Sequence, residues 1–236
     1  MDQRHCSACL VAALFLLPHT GNSARAEETP CPKLEAVPLS VLLISPPADD
    51  SEVSRAELRE LQVIQTLRTQ EQEDHAGGDY KRTIDRFLGP IGIKVDARAI
   101  VVRHFLECVA EAAEQDVDAA KQKFIRVRPY KYPGNNLHVL KEVKDGDSPS
   151  YPSGHATYGM VMGLLLAEML PERRQDIMKR IEDYGYSRLV SGVHFRSDVY
   201  AGEIAGAAMV ASYFNSQEFR EDFEKAKADF RAAVIE

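Results

Sequence analysis

Apolar residues in this chain recur every three or four positions and nowhere alternate over a length that would make a strand. Segments of that kind bury themselves as helices against helices. Ile100, Val101, His104, Phe105, Cys108, Val109 and Ala112 form one stripe on a helix that starts near Asp96, with His104 placed as a core histidine. The helical pattern carries on from about Asp116 to Val127 and stops at Pro129, because a proline pushes its predecessor out of the helical region. Ser54-Arg55-Ala56-Glu57 has the sequence of a capping box, and Leu58, Leu61, Ile64 and Leu67 follow at helical spacing. Three more helices are expected from Ser153 to about Leu170, from Pro171 to about Leu189, and from about Asp198 to Phe214. A last one carries Phe219, Phe223, Ala226, Phe230 and Val234 on one face. The reading is an all-α fold, with residues 53–236 as one helical domain.

Between the helices, residues 27–52 hold Pro30, Pro32, Pro38, Pro46 and Pro47 around the apolar run Leu39 to Ile44, which predicts an extended arm. Residues 71–81 are polar and contain Gly77-Gly78, so a loop is expected there. Residues 130–151 are rich in Pro, Gly and Asn. A loop of that length in a compact domain usually carries function.

The chain has 236 residues, 44% hydrophobic and 28% charged, with a formal net charge of -7. That balance excludes a disordered or polytopic membrane protein and gives no basic field for nucleic acid. The first 26 residues differ. Arg4 and His5 precede the apolar stretch Ala8 to Leu17, and Ala24-Arg25-Ala26 offers small residues at a cleavage site. This layout predicts a secretory signal peptide over residues 1–26 and a periplasmic or secreted protein. No later apolar run reaches the length of a membrane span without a charge, since Glu168 and Glu203 interrupt the best two, so no integral span is expected. Cleavage would leave Cys31 and Cys108, which either pair or stay apart. Two cysteines cannot make a Cys-rich metal site, and no acidic cluster with ligand spacing is visible. No metal and no cofactor are expected, and a homo-oligomer is left open.

Three separated clusters carry chemistry. Lys121 and Arg128 stand seven apart, which on a helix would put both on one face. Tyr151-Pro152-Ser153-Gly154-His155 opens an apolar helix. Ser153 there is either an ordinary N-cap or, with Gly154, part of an anion site at a helix N-terminus. Ser187-Arg188 precedes His194 by a short interval, and Asp198 follows it by four. Asp198 is placed to hydrogen-bond the imidazole of His194, fix its tautomer and raise its basicity, or simply to cap a helix. Together, Lys121, Arg128 and Arg188 with the donors of Ser153 and Gly154 complement a dianionic tetrahedral group such as phosphate. Two histidines would then supply a nucleophile and an acid.

The order K-x6-RP, PSGH, SR-x5-H-x3-D resembles the motif set of the type-2 phosphatidic acid phosphatase superfamily, which also includes the vanadium haloperoxidases. The chain carries it in full, as Lys121/Arg128/Pro129, Pro152/Ser153/Gly154/His155 and Ser187/Arg188/His194/Asp198. Within that superfamily it is most similar to the bacterial class A non-specific acid phosphatases, through the leader, the size, the Gly-Gly segment and SYPSGH. The resemblance implies an all-helical bundle and a metal-independent hydrolase with small phosphomonoesters as its partners. It implies that His194 attacks phosphorus to give a phosphohistidine, with Asp198 holding the other ring nitrogen. His155 would protonate the leaving oxygen and then activate water. Lys121, Arg128, Ser153, Gly154 and Arg188 would hold the phosphate oxygens. Discharge by an alcohol would give phosphotransferase side activity.

Overall fold

Helix Gly154–Met169 is apolar on every side, and a helix without a polar stripe has to be surrounded. The computed structural model, which describes residues 30–140 and 148–235, puts it at the centre. The leader read over residues 1–26 lies outside the described residues. In chain order the helices are α1 (Leu39–Leu42), α2 (Glu52–Leu67), α3 (Gln70–Gly78), α4 (Ile84–Leu88), α5 (Ile100–Phe124), α6 (Gly154–Met169), α7 (Arg174–Val190), α8 (Arg196–Tyr213) and α9 (Gln217–Ala233). Two-residue strands β1 (Lys94–Val95) and β2 (Val234–Ile235) pair antiparallel. The all-α expectation holds, and α6 packs against α5, α7, α8 and α9.

Small residues let the neighbours of α6 approach it. Gly159 lies against the Tyr184 ring and Gly163 against Ile181. On α8, a Cβ at Gly202 would run into the Ser153 carbonyl, Ala156 and Thr157, and one at Gly206 into Met160 and the Thr157 carbonyl. Bare backbone at Gly202 therefore brings the start of α8 onto the start of α6, where the Ser153 N–H donates to the Asp198 carbonyl at 2.9 Å. Two of the three motif segments meet at that contact.

α5 is one unbroken helix of 25 residues. Its buried stripe is Val102, Phe105, Leu106, Val109, Ala113, Val117 and Ala120, shifted from the expected one. Ile100 and Val101 are exposed before it, and His104 is half-buried beside Cys108, with its Nε2 3.5 Å from Sγ. Phe219 and Phe223 of α9 close over Phe105, at ring centroid distances of 5.4 and 6.2 Å. Val234, expected on the α9 face, has left the helix for β2.

Two local expectations are corrected. Residues 71–81 are not a loop: α3 fills most of them, started by a capping box between Thr69 and Gln72. Its sequence shows no apolar stripe because polar contacts hold it. His75 Nε2 lies 2.8 Å from Asp183 on α7, and the buried Asp79 accepts from Arg180 at 2.5 and 3.0 Å and from Arg86 at 2.8 Å. The α2 cap is Ser51 rather than Ser54. Ser54 is buried and donates to the Ala48 carbonyl at 2.8 Å, which frees Glu57 for another role.

Along residues 30–52 the chain forms α1 and otherwise irregular backbone, with Leu39 and Leu43 buried against the main core. Cys31 is disulfide-bonded to Cys108 on α5, across 77 positions of sequence. Closing a loop of that size removes conformational freedom from the unfolded chain. Cys108→Ser, or reduction, should lower stability by about 2–4 kcal/mol in urea unfolding, and an unchanged midpoint would contradict this. No helix among the described residues is long and apolar enough to cross a membrane.

Candidate active site

The three motif segments converge on one cavity of about 390 Å³. Lys121, Arg128, Gly154, His155 and His194 bound it, while Ser153, Arg188 and Asp198 are fully buried and lie behind this lining. Of the eight site residues expected from the sequence, five line this pocket and three do not.

Lys121 and Arg128 reach it differently from the helical geometry expected. α5 ends at Phe124, Ile125 turns left-handed at φ 47°, and Arg128 arrives on extended chain. Both cations are nonetheless buried and fixed from the backbone of the loop before α6. Lys121 donates to the Pro149 carbonyl, and Arg128 Nε donates to the Ser148 carbonyl at 2.8 Å. Ser153 Oγ accepts from the Ala156 N–H at 3.3 Å, so it caps α6. Gly154 stands at the first helical position with its backbone on the cavity. A Cβ there would meet only Val117 Cγ1, at an ordinary 3.6 Å, so packing does not demand glycine. What the missing side chain leaves open is the approach to the N-terminus of α6, where backbone N–H groups and the helix dipole favour an anion.

His194 sits in the turn between α7 and α8, redirected by Gly192 at φ 74°. Its ring is held from both sides. Nδ1 lies 3.4 Å from Ser150 Oγ. Nε2 faces Arg128 Nη1 at 3.2 Å. A guanidinium only donates, so Nε2 presents its lone pair and Nδ1 carries the hydrogen. Asp198 Oδ2 is 3.6 Å from Nδ1, too far for the direct hydrogen bond expected. Its oxygens instead accept from Ser150 Oγ at 2.5 Å, the Phe195 N–H at 2.8 Å and Arg126 Nη1 at 2.6 Å. Asp198 therefore fixes the scaffold around His194 through Ser150, Phe195 and Arg126. Burial, then the charges of Arg128, Lys121 and Arg188, push the His194 pKa well below the ordinary histidine value.

His155 is also driven well below its ordinary value, by burial first and then by Arg188. Its Nε2 lies 3.0 Å from the Tyr80 carbonyl, which can only accept, so that nitrogen carries a hydrogen. The ring is stacked between Tyr80, at 5.7 Å, and Tyr184, at 6.4 Å. Both histidines are thus pushed toward the neutral form, beside three cations. An entering dianion would satisfy the cations and favour protonation of a ring.

Several residues here escape motif reading. Arg126 is buried and joins Asp198, Glu57, Ser54 and Ser197, with its guanidinium 4.1 Å above the Phe195 ring. Ser187, just before Arg188, donates to Asp79 at 2.7 Å, which ties α7 to the end of α3. A larger cleft of about 830 Å³ lies between α7 and α8, but the carboxylates and tyrosines in its wall, among them Glu182, Glu203, Tyr186 and Tyr200, suit a phosphate poorly. Two groups of potential metal ligands occur among the described residues. One is Cys31, His104 and Cys108, tied up by the disulfide, and the other is His75, Asp79 and Asp183, already bonded to Arg180.

Known proteins share this arrangement to different extents. The chain is 34% identical over 123 residues to a non-specific acid phosphatase of Providencia stuartii, covering 52% of this chain and 50% of that protein. It is 35% identical over 119 residues to an acid phosphatase of Zymomonas mobilis, covering 50% and 45%. The chain thus spans about half the length of these curated relatives. Among solved structures it is similar in fold to a bacterial vanadium-dependent iodoperoxidase, with a TM-score of 0.52 at 16% identity, covering 73% of this chain and 51% of that one. The family described as the PAP2 superfamily matches residues 102–222, just over half of the chain and a span that includes Lys121, Arg128, Ser153, Gly154, His155, Arg188, His194 and Asp198. With the cavity and the family match falling on the same residues, the protein belongs to the PAP2 superfamily.

Proposed function

We propose that the protein is an acid phosphatase that hydrolyses phosphate monoesters through a phosphohistidine on His194. The observation that carries this reading is the placement of His194, whose unprotonated Nε2 lies 3.2 Å from Arg128 Nη1 in the lining of a cavity shared with Lys121, Arg128 and His155. In the first step the Nε2 lone pair forms a bond to phosphorus as the ester P–O bond breaks, and the leaving oxygen takes a proton from His155. In the second, water attacks phosphorus, the P–N bond breaks, and the water's proton passes to His155. Lys121, Arg128, Arg188 and the N-terminus of α6, from Ser153 and Gly154, hold the oxygens on which charge develops. An alcohol in place of water would give phosphotransferase activity by the same steps.

The depressed pKa of His194 suits work in acid. A nucleophile must be unprotonated, and one whose pKa lies below the ordinary value stays so at lower pH. The Cys31–Cys108 disulfide supports a periplasmic or secreted location, since such bonds persist in oxidising compartments. The relatives named acid phosphatase support the reaction class.

Hydrolysis of a chromogenic phosphomonoester, assayed in EDTA across about pH 4–9, should proceed with its optimum on the acid side. Vanadate should compete with substrate, because it adopts the five-coordinate geometry of phosphoryl transfer and meets the same cations. Loss of activity on chelation, or indifference to vanadate, would contradict the mechanism.

A further inference from the structure

The cavity has two kinds of wall. Lys121, Arg128, His155 and His194 are buried and form its floor, whereas Tyr80, Arg82, Glu114 and Asp118 are exposed and form its mouth. At about 390 Å³ it falls within the range of pockets that enclose a small organic ligand, so it has room for part of a leaving group as well as a phosphate. Tyr80 is the aromatic residue among those lining it. Its side is 41% exposed, and its ring lies within 23° of parallel to that of His155.

The backbone that carries the ring is anchored. The Tyr80 N–H donates to the Gly77 carbonyl at 3.3 Å, and the Tyr80 carbonyl accepts from His155. The preceding Asp79 is fully buried among Arg180, Arg86 and Ser187. An aromatic face stacked on His155 and presented to solvent at the mouth of a polar cavity offers a surface for a second planar group. The rest of the mouth discourages anions. Arg82 is engaged by Glu114 at 2.5 Å, and Asp118 adds a second carboxylate one turn on.

We propose that Tyr80 is a specificity-determining residue that favours monoesters whose leaving group carries an uncharged aromatic ring close to the ester oxygen. The proposal rests on the phosphatase reading above. The leaving oxygen belongs beside His155, and the Tyr80 ring is what a group extending from that oxygen meets next.

Benzyl phosphate and butyl phosphate test this, since both leave as primary alcohols and differ in the ring. The wild-type protein should show kcat/KM about 10-fold higher for benzyl phosphate, in line with one aromatic stacking contact. Tyr80→Leu, which keeps bulk, and Tyr80→Ala should bring the two substrates to within about twofold of each other, while Tyr80→Phe keeps the preference. Vanadate inhibition measured on each variant reports whether the floor of the site is intact. If the wild type turns over both esters equally, or if Tyr80→Leu keeps the full preference, the role of Tyr80 is overturned and the phosphatase reading stands. If the wild type hydrolyses neither ester nor any other monoester, both fall together.

Discussion

His194→Ala should form no phosphoenzyme with any substrate and should lower kcat by about 10,000-fold or more, as expected when a covalent nucleophile is removed. His155→Ala should fail differently. It removes the proton donor but leaves Nε2 of His194 and the cations around it, so the loss should be about 100- to 10,000-fold on an alkyl phosphate. It should be much smaller on a nitrophenyl phosphate, whose leaving group needs little protonation. The two roles separate on structure. His194 has Nδ1 against Ser150 Oγ and an unprotonated Nε2 beside Arg128, whereas His155 is stacked on Tyr80 and Tyr184 at the start of α6. Brief reaction with labelled substrate followed by acid quench measures the phosphoenzyme directly. Label trapped on His194→Ala and absent from His155→Ala would reverse the assignment.

Arg126→Met should be the most damaging single change to stability. Arg126 is the cation for two carboxylates, the fully buried Asp198 at 2.6 Å and the mostly buried Glu57 at 2.9 Å. Removing one partner of a buried pair leaves an uncompensated charge and costs about 3–5 kcal/mol. In a chain of this size that corresponds to a melting temperature lower by roughly 10 °C. Arg126→Lys keeps the charge but not the planar fork, so it should fall between the two. A melting temperature within about 2 °C of wild type for Arg126→Met would show that the network is dispensable.

Arg126 also marks where the sequence stops being legible. The helices that hold the site were readable because α5, α6, α8 and α9 owe their burial to apolar residues at fixed spacing. The motif residues were readable because a phosphate needs cations, donors and a nucleophile in any fold. α3 was not, because a helix held by His75, Asp79 and Arg68 through ion pairs leaves no periodic trace, and Gly77-Gly78 reads as a turn. The partners of Asp198 were missed for another reason. Arg126 and Ser150 come from segments 72 and 48 positions away, and only the packing of α8 on α6 at Gly202 brings them together. The spacing of Lys121 and Arg128 points to the right pair, but not through a shared helical face. The chain leaves the helix at Ile125, so the pair converges through a loop rather than through a helical face.

The neutral histidines of the site and the ion-paired one behind it bound the range of pH in which the fold is secure. His155 and His194 resist protonation when folded, but in the unfolded chain they take up protons below about pH 6.5. Each therefore drains about 1.4 kcal/mol of stability per pH unit below that point, until the folded protein protonates too. An anion in the cavity that favours the protonated rings offsets this drain. His75 works in the opposite direction. Its hydrogen bonds to Asp183, then to Asp79, raise its pKa to about 9, so the stability it lends the α3–α7 contact is complete below about pH 6.5 and is lost as the pH climbs through 9. In acid, then, the helix that precedes Tyr80 is clamped most tightly just where the unprotonated rings of His155 and His194 are most costly to keep, and an anion bound between them would become part of what holds the protein folded.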